Sequence, residues 1–269
     1  MAFLALAGVY ITYVALLFIA IHYLNRNDAQ PRATLGALMQ AWLSESLTAP
    51  RVFLWRQPFR TQAIPDNLPD FLPASNKPGV VFIHGFFCNR AFWTPWMQQL
   101  LTDKRAFVAI TMEPVFGSID DYAPIVEAAI AKVTFATGKP PVLICHSMGG
   151  LVARSWLRSQ AGNDDRISRV ITIGTPHFGT MLSLQKSFLP FINTRQMQRF
   201  GDWTKQLAKD ESPTRFTKFT CWYSNCDNIV VPTSTAMLPG AGNRLVTAQG
   251  HVSMAFDKRV MQESLALLD

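Results

Sequence analysis

Residues 142–154 of this chain read Val-Leu-Ile-Cys-His-Ser-Met-Gly-Gly-Leu-Val-Ala-Arg. The run begins as an apolar strand, reaches Ser147 and continues at once into a helical stretch, which predicts a sharp strand-to-helix turn at the serine. Such a turn strains the backbone of the serine and projects its hydroxyl above the sheet. The residues two before and two after must be small because strand and helix pass close together, and here they are Cys145 and Gly149.

Short apolar runs recur along the rest of the chain, and helix-like stretches separate most of them. This alternation predicts an α/β fold with a mostly parallel sheet and helices on both faces. Reactive groups in such sheets gather beyond the carboxyl ends of the strands. The expected strands are 80–83, 106–111, 142–145, 170–173, 219–223 and 245–247, and the expected helices are 91–102, 120–137, 148–160 and 252–268.

The interval from Gly174 to Lys218 breaks this alternation. No strand is expected there, and apolar residues are frequent, including Met181, Leu182, Leu184, Phe188, Leu189, Phe191, Ile192, Met197, Phe200 and Trp203. A long apolar insertion without strands predicts a helical cap over the site, which we place at about 177–216.

The serine turn resembles the Gly-x-Ser-x-Gly turn of the α/β-hydrolase family, with Cys145 in place of the first glycine. Two further motifs make the chain similar to the lipase and esterase branch of that family. One is His84-Gly85, directly after the first expected strand, and the other is Gly174-Thr-Pro-His-Phe-Gly. The resemblance extends over roughly residues 78–269 and implies an α/β-hydrolase fold.

The same resemblance implies the residues of a catalytic site. Ser147 would be the nucleophile, and His251, which follows the last expected strand, would be the general base. Asp227 lies at the exit of the strand before it and would orient the histidine. The backbone amides of Phe86 and Met148 would form the oxyanion hole.

Two more residues are candidates for the wall of a substrate pocket. Phe87 belongs to the loop that supplies an oxyanion amide, and His177 lies just past a strand end. His177 is also the alternative to His251 as the base, whereas His84 is expected to be structural. A serine hydrolase needs neither a metal nor an organic cofactor, and we expect none.

Residues 2–24 carry no charged side chain, and about 20 apolar residues in a helix cross a hydrocarbon core of roughly 30 Å. No basic region precedes the segment and no small-x-small cleavage site follows it, which favours an uncleaved anchor over a signal peptide. We therefore expect a transmembrane anchor at 1–25, an amphipathic helix and a proline-rich linker at 26–77, and a catalytic domain at 78–269. Arg26 and Arg32 favour a cytoplasmic catalytic domain.

The net charge of +7 does not predict a nucleic-acid partner, because the basic residues form no single cluster. An excess of arginine follows the apolar segment, which fits either attraction to anionic lipid head groups or a plain solvated surface. Four cysteines are too few for a disulfide scaffold, although Cys221 and Cys226 could pair in an oxidising compartment. The arginines concerned are Arg26, Arg32, Arg51, Arg56 and Arg60.

Together these features predict a membrane-anchored serine hydrolase that cleaves carboxylic esters, lipid or acyl esters above all, through an acyl-enzyme. A thioesterase or an amidase would use the same three residues. A non-catalytic membrane-bound interaction protein would keep the fold, but such proteins usually lack a triad member, and all three are present in this sequence.

Overall fold

The computed structural model describes residues 2–68, 77–181 and 191–269. In this part of the chain six strands form one parallel sheet. They are β1 (Val80–Ile83), β2 (Phe107–Ala109), β3 (Val142–His146), β4 (Arg169–Ile173), β5 (Phe219–Ser224) and β6 (Gly242–Val246). Their order across the sheet is β2-β1-β3-β4-β5-β6, so β1 lies next to the β2 edge and strands β3 to β6 follow in chain order to the other edge.

The helices in the same part of the chain are α1 (Ala2–Leu24), α2 (Leu35–Pro50), α3 (Gln57–Phe59), α4 (Thr94–Thr102), α5 (Ala123–Thr137), α6 (Met148–Ser159), α7 (Ile192–Gln196), α8 (Asp202–Lys209) and α9 (Lys258–Ala266). Helices α1 to α3 precede the first strand in the chain, and the other helices lie between or after the strands. A π-helical segment, Arg51–Arg56, joins α2 to α3 without a break.

Alternate residues of each strand enter two different cores, as the two-residue period of a strand requires. Val81 and Ile83 of β1 pack with α5 and α6 on one face, whereas Val80 and Phe82 pack with α4 and α9 on the other. All four residues of β1 are buried, which is usual for a parallel strand covered on both sides. The predicted α/β architecture, with a mostly parallel sheet and helices on both faces, is confirmed.

The edge strand β6 begins at Gly242, three residues before the expected start at 245. Its first residues are Gly242, which is exposed, and Asn243 and Arg244, which are partly buried, as is common for the outermost strand of a sheet; in the described sheet no strand pairs with β6 on its outer side. An apolar run therefore identifies the inner strands better than this edge.

Residues 182–190 of the predicted cap, with Leu182, Leu184, Phe188 and Leu189, lie outside the described residues, as do residues 69–76 of the linker. The described remainder of the interval contains the short helices α7 and α8 and no strand. Helix α8 is anchored on the main body, since the Trp203 indole donates to Asp120 at 2.7 Å. The cap itself stays a prediction.

The N-terminal helices pack against each other and against the sheet domain. Val14, Phe18 and Ile21 of α1 lie against Leu38 and Ala41 of α2, in a cluster that includes Cys226 and Val231. The segment Ala5–Asn27, which comprises most of α1 and the short helical turn after it, is long and apolar enough to cross a membrane. The predicted amphipathic helix is α2, and one of its faces packs on the domain. All four cysteines are free and buried, so Cys221 and Cys226 do not pair.

Candidate active site

Ser147 lies between β3 and α6 with φ 53° and ψ −125°, a backbone conformation that residues other than glycine rarely adopt. Its amide donates to the carbonyl of Ile173 at 2.9 Å, which ties the turn to the neighbouring strand. Gly149 is required by packing, because a Cβ there would lie 2.4 Å from the carbonyl oxygen of Ile83. Cys145 is fully buried under the turn. The predicted strand-to-helix turn is therefore present in its strained form.

His251 and Asp227 form a buried pair. The Nδ1 atom of His251 lies 2.9 and 3.0 Å from the two carboxylate oxygens of Asp227. That carboxylate also accepts the amides of Ile229 and Val230 at 2.8 Å each, which fixes its orientation. An Nδ1–H donated to Asp227 leaves Nε2 of His251 with a lone pair, as a general base needs.

Several contacts place this pair beside the serine turn. A Cβ built on Gly174, the residue after Ile173, would lie 3.2 Å from Oδ2 of Asp227 and 3.3 Å from Nδ1 of His251. The rings of His146 and His251 are 4.7 Å apart between centroids. The three predicted catalytic residues therefore share one end of the sheet, beyond the carboxyl ends of β3, β5 and β6.

Within the described residues, the Ser147 hydroxyl forms no direct hydrogen bond with the His251 ring. Such bonds are often long in ligand-free enzymes and tighten when substrate binds. Burial opposes the charged form of His251, but the carboxylates of Asp227 and Glu45 outweigh it and raise the pKa of the ring above its ordinary value. The ring is thus a stronger base than a free histidine.

The predicted oxyanion amides belong to two segments that meet at the serine. A Cβ on Gly85 would be 2.9 Å from the Cβ of Ser147, so the loop carrying Phe86 passes directly over the serine. Met148 begins α6, and the first amides of a helix have no acceptor within it. Neither amide has a backbone acceptor among residues 2–68, 77–181 and 191–269. Two unused donors therefore flank Ser147.

His84 holds this loop in place and does not act as a base. Its Nε2 accepts the amide of Met112 at 3.0 Å, and its Nδ1 lies 2.8 Å from the carbonyl of Gly85. Burial lowers the pKa of His84 to about 4, so the ring is neutral at physiological pH. This agrees with the structural role expected for it.

Comparisons with known proteins agree with this geometry. The family model of the PGAP1-like alpha/beta domain matches residues 115–238, which include Ser147 and Asp227. The structure is similar to the mature Bacillus licheniformis lipase BlEst2, with a TM-score of 0.65 and 20% identity over 75% of this chain and 96% of that one. It is also similar to Aspergillus fumigatus lipase B, with a TM-score of 0.61 and 16% identity over 74% of this chain and 55% of that one. This protein has the α/β-hydrolase fold. No curated protein sequence matches it.

An aromatic cluster adjoins the loop that carries the predicted oxyanion amide of Phe86. Phe86 and Phe87 contact Phe116, with centroids 6.0 and 6.3 Å away, and Phe116 stacks on Phe191 at 3.9 Å. Phe87 is 61% exposed although it is large and apolar. The sequence pointed to Phe86 and Phe87 and placed Phe191 in the predicted cap, but it did not single out Phe116, because chain order does not reveal that these loops meet.

His177 differs from its predicted place on the pocket wall. Its side chain is inaccessible to solvent, and its Nε2 lies 3.1 Å from the Thr172 hydroxyl and 3.6 Å from the Cys221 sulfur. Burial lowers the pKa of the His177 ring well below its ordinary value. His177 therefore belongs to the core, since its ring contacts Thr172 of β4 and Cys221 of β5.

The structure also shows contacts to the His251 loop that sequence reasoning missed. The Asn228 side chain accepts the amide of His251 at 2.9 Å, and Nε2 of His146 lies 3.1 Å from its carbonyl. Glu45 of α2 accepts the next two amides. The described residues contain no group of three or more His, Cys, Asp or Glu side chains able to hold a metal.

Proposed function

We propose that this protein is a membrane-anchored serine hydrolase that cleaves carboxylic esters with apolar acyl groups. One observation carries the proposal. The strained Ser147 turn adjoins two amides that have no backbone acceptor in the described part of the chain, and it lies at the same end of the sheet as the buried His251–Asp227 pair. That arrangement combines a nucleophile, a base and an anion-binding site, which are the parts that acyl transfer requires.

In the proposed reaction the Ser147 hydroxyl attacks the ester carbonyl while Nε2 of His251 takes its proton. Asp227 stabilises the resulting imidazolium, and the two amides hold the tetrahedral oxyanion. One such donor is generally worth about 3 kcal/mol of transition-state stabilisation. His251 then protonates the departing alcohol. It next deprotonates a water molecule, which attacks the acyl-enzyme and releases the carboxylic acid.

Two observations support an apolar acyl group. The aromatic cluster places exposed apolar surface next to the oxyanion loop, where the acyl chain of a bound ester would lie. The solved structures with the fold described above include two that are named lipases. Phe116 and Phe191 would then contact the acyl chain of the substrate beyond its first carbons.

Membrane attachment is supported by α1 and by the outward face of the next helices. The contacts between α1 and α2 bury only a few residues of α1. Only 17% of the most apolar 18-residue stretch of this segment is buried. Helices α2 and α3, with the π-helical segment between them, carry exposed apolar residues spaced at about one helical turn, which we call the outer stripe. Such a face fits the boundary between lipid head groups and acyl chains. The outer stripe consists of Leu35, Met39, Leu43, Leu47, Leu54, Trp55 and Phe59.

We further propose that α1 crosses the bilayer once and that Arg26 and Arg32 keep the catalytic domain on the cytoplasmic side. Cysteines introduced by Ala2→Cys and Lys132→Cys should react with a membrane-impermeant maleimide from opposite faces of sealed vesicles. The native cysteines are buried and supply little background. Labelling of both positions from one face would show instead that α1 lies in a single leaflet.

The catalytic proposal is tested by a fluorophosphonate probe, which phosphonylates activated serines. The full-length protein in detergent should be labelled, whereas Ser147→Ala should not. A panel of p-nitrophenyl esters of rising chain length, with matched thioesters and amides, then identifies the substrate class. Phe116→Ala should raise KM for long acyl chains and leave acetyl esters unchanged, and Phe135→Ala, at an exposed site on α5, is its control. Faster turnover of thioesters or amides would replace the ester assignment.

A further inference from the structure

Glu45 is a buried carboxylate on the inner face of α2, and 3% of its surface is exposed. Its oxygens accept the amide of Val252 at 3.0 and 3.1 Å and the amide of Ser253 at 2.8 Å. These are the two residues directly after His251, yet Glu45 precedes Val252 by 207 positions in the chain. Burying a carboxylate costs free energy unless hydrogen bonds offset the cost, and here two backbone amides offset part of it.

The other side of His251 is also shaped by Glu45. A Cβ on Gly250 would lie 2.7 Å from Oε2 of Glu45 and 2.9 Å from its Cβ, so only glycine leaves room for the glutamate. The neighbouring Ser44 hydroxyl lies 3.3 Å from Oε1 of Gln249. Helix α2 therefore contacts the loop before and after the histidine and leaves it little room to move.

Glu45 also contributes charge to the site. The ionisable groups that face it are His251 and Asp227 from the loops after β6 and β5, and Tyr10 from α1. Burial raises the pKa of Glu45, while the two backbone amides and His251 oppose that rise. The charge of Glu45 in turn favours the protonated form of His251, in the same direction as Asp227.

We propose that Glu45 is a positioning residue for the catalytic base. It holds residues 250–253 so that the His251 ring faces Ser147, and its carboxylate adds to that of Asp227 in stabilising the imidazolium that forms during acyl transfer. This inference rests on the proposed function. It makes α2, which lies outside the predicted catalytic domain, a part of the active site.

The test uses the full-length protein in detergent with Glu45→Gln, which keeps the size of the side chain and removes its charge. We expect kcat to fall by about ten- to a hundredfold with little change in KM, because a displaced base harms the transition state more than substrate binding. Without the Glu45 charge the pKa of His251 falls, so the acid limb of the kcat/KM profile moves to lower pH. Titration of ¹⁵N-labelled His251 by NMR should show the same shift without needing turnover.

Glu45→Asp keeps the charge. It should return the acid limb of the kcat/KM profile most of the way to its wild-type pH, but should not restore all of kcat. Ser44→Ala is the matched control, since it removes an uncharged contact between α2 and the same loop. It should leave both the acid limb and the His251 titration in place. If Glu45→Gln does not fold, Glu45→Asp provides the same readouts, with a reduced kcat and a smaller shift in the same direction.

An unshifted His251 titration in Glu45→Gln would overturn the proposal, as would a loss of kcat that only follows a loss of thermal stability. The hydrolase assignment is judged separately by fluorophosphonate labelling of the wild-type protein. A protein that is not labelled but shows the shifted titration would refute the hydrolase function and leave the coupling between Glu45 and His251 standing.

Discussion

The proposed nucleophile and the proposed base are held in different ways. Ser147 lies in a turn whose geometry comes from the strand and helix on either side of it and from the close packing of Gly149 on β1. His251 lies in a loop whose amides and carbonyl are held by side chains from elsewhere, namely Glu45, His146 and Asn228. One group is therefore positioned locally, and the other depends on the assembly of distant parts of the chain.

The largest expected effect concerns the base. Asp227→Asn presents an amide to Nδ1 of His251 and favours the tautomer that carries its proton on Nε2, which cannot accept the serine proton. We expect kcat for ester hydrolysis to fall by about 10⁴-fold while the fold is retained. Asp164→Asn, which weakens the ion pair with Arg215 away from the site, is the control and should keep nearly full activity. Equal losses in both variants would remove Asp227 from the proposed triad.

The second prediction concerns the local side of the comparison. A Cβ on Gly149 would lie 2.4 Å from the carbonyl oxygen of Ile83 and 2.6 Å from that of His84. We expect Gly149→Ala to lower the free energy of unfolding by about 1–3 kcal/mol, because backbone atoms cannot yield cheaply. Gly36→Ala on α2 meets nothing within 4 Å and should be neutral or stabilising. Urea denaturation in detergent measures both, and equal stabilities would show that the turn is not sterically constrained.

The smallest effect concerns a single support of the base loop. Asn228→Ala removes the acceptor of the His251 amide, and a buried unpaired amide costs about 1–3 kcal/mol. We expect kcat to fall by about tenfold, with a modest drop in melting temperature. Asn243→Ala breaks comparable contacts with Leu238 at a distance from the histidine and should lower stability alone. A drop in kcat of the same size in both variants would mean that the His251 loop has no special sensitivity.

The sequence predicts the locally positioned parts of the molecule, such as the Ser147 turn, better than the parts that depend on distant segments, such as the His251 loop. The strands, the serine turn and the amides beside it are encoded within a few residues, so apolar runs and small residues were sufficient to predict the fold. The start of β6 was missed because its first residues are polar at an exposed edge. His177 was misplaced because the position of its motif after a strand does not show which way the chain turns.

The supports of His251 were missed because they are separated from it in the chain. His146 precedes it by 105 positions, and Glu45 precedes Val252 by 207. One signal for Glu45 was nevertheless available. Glu45 follows Leu38 and Ala41 at helical spacing, on the same buried face of α2, and a glutamate on such a face is unusual enough to require a partner. Nothing in the sequence identified that partner.

The position of Glu45 decides how this protein can be shortened for study. Removal of residues 1–25 takes away the apolar helix α1 but keeps α2, whereas a start at residue 78 also deletes the Glu45 carboxylate and leaves the amides of Val252 and Ser253 without it. The shorter version also loses Val52 and Ile64 from the core and the contacts of Asp66 with Arg90 and Ala109, and we expect it to react with a probe far more slowly. A soluble form designed for crystallisation or for inhibitor screening should therefore begin before Thr34, which caps α2.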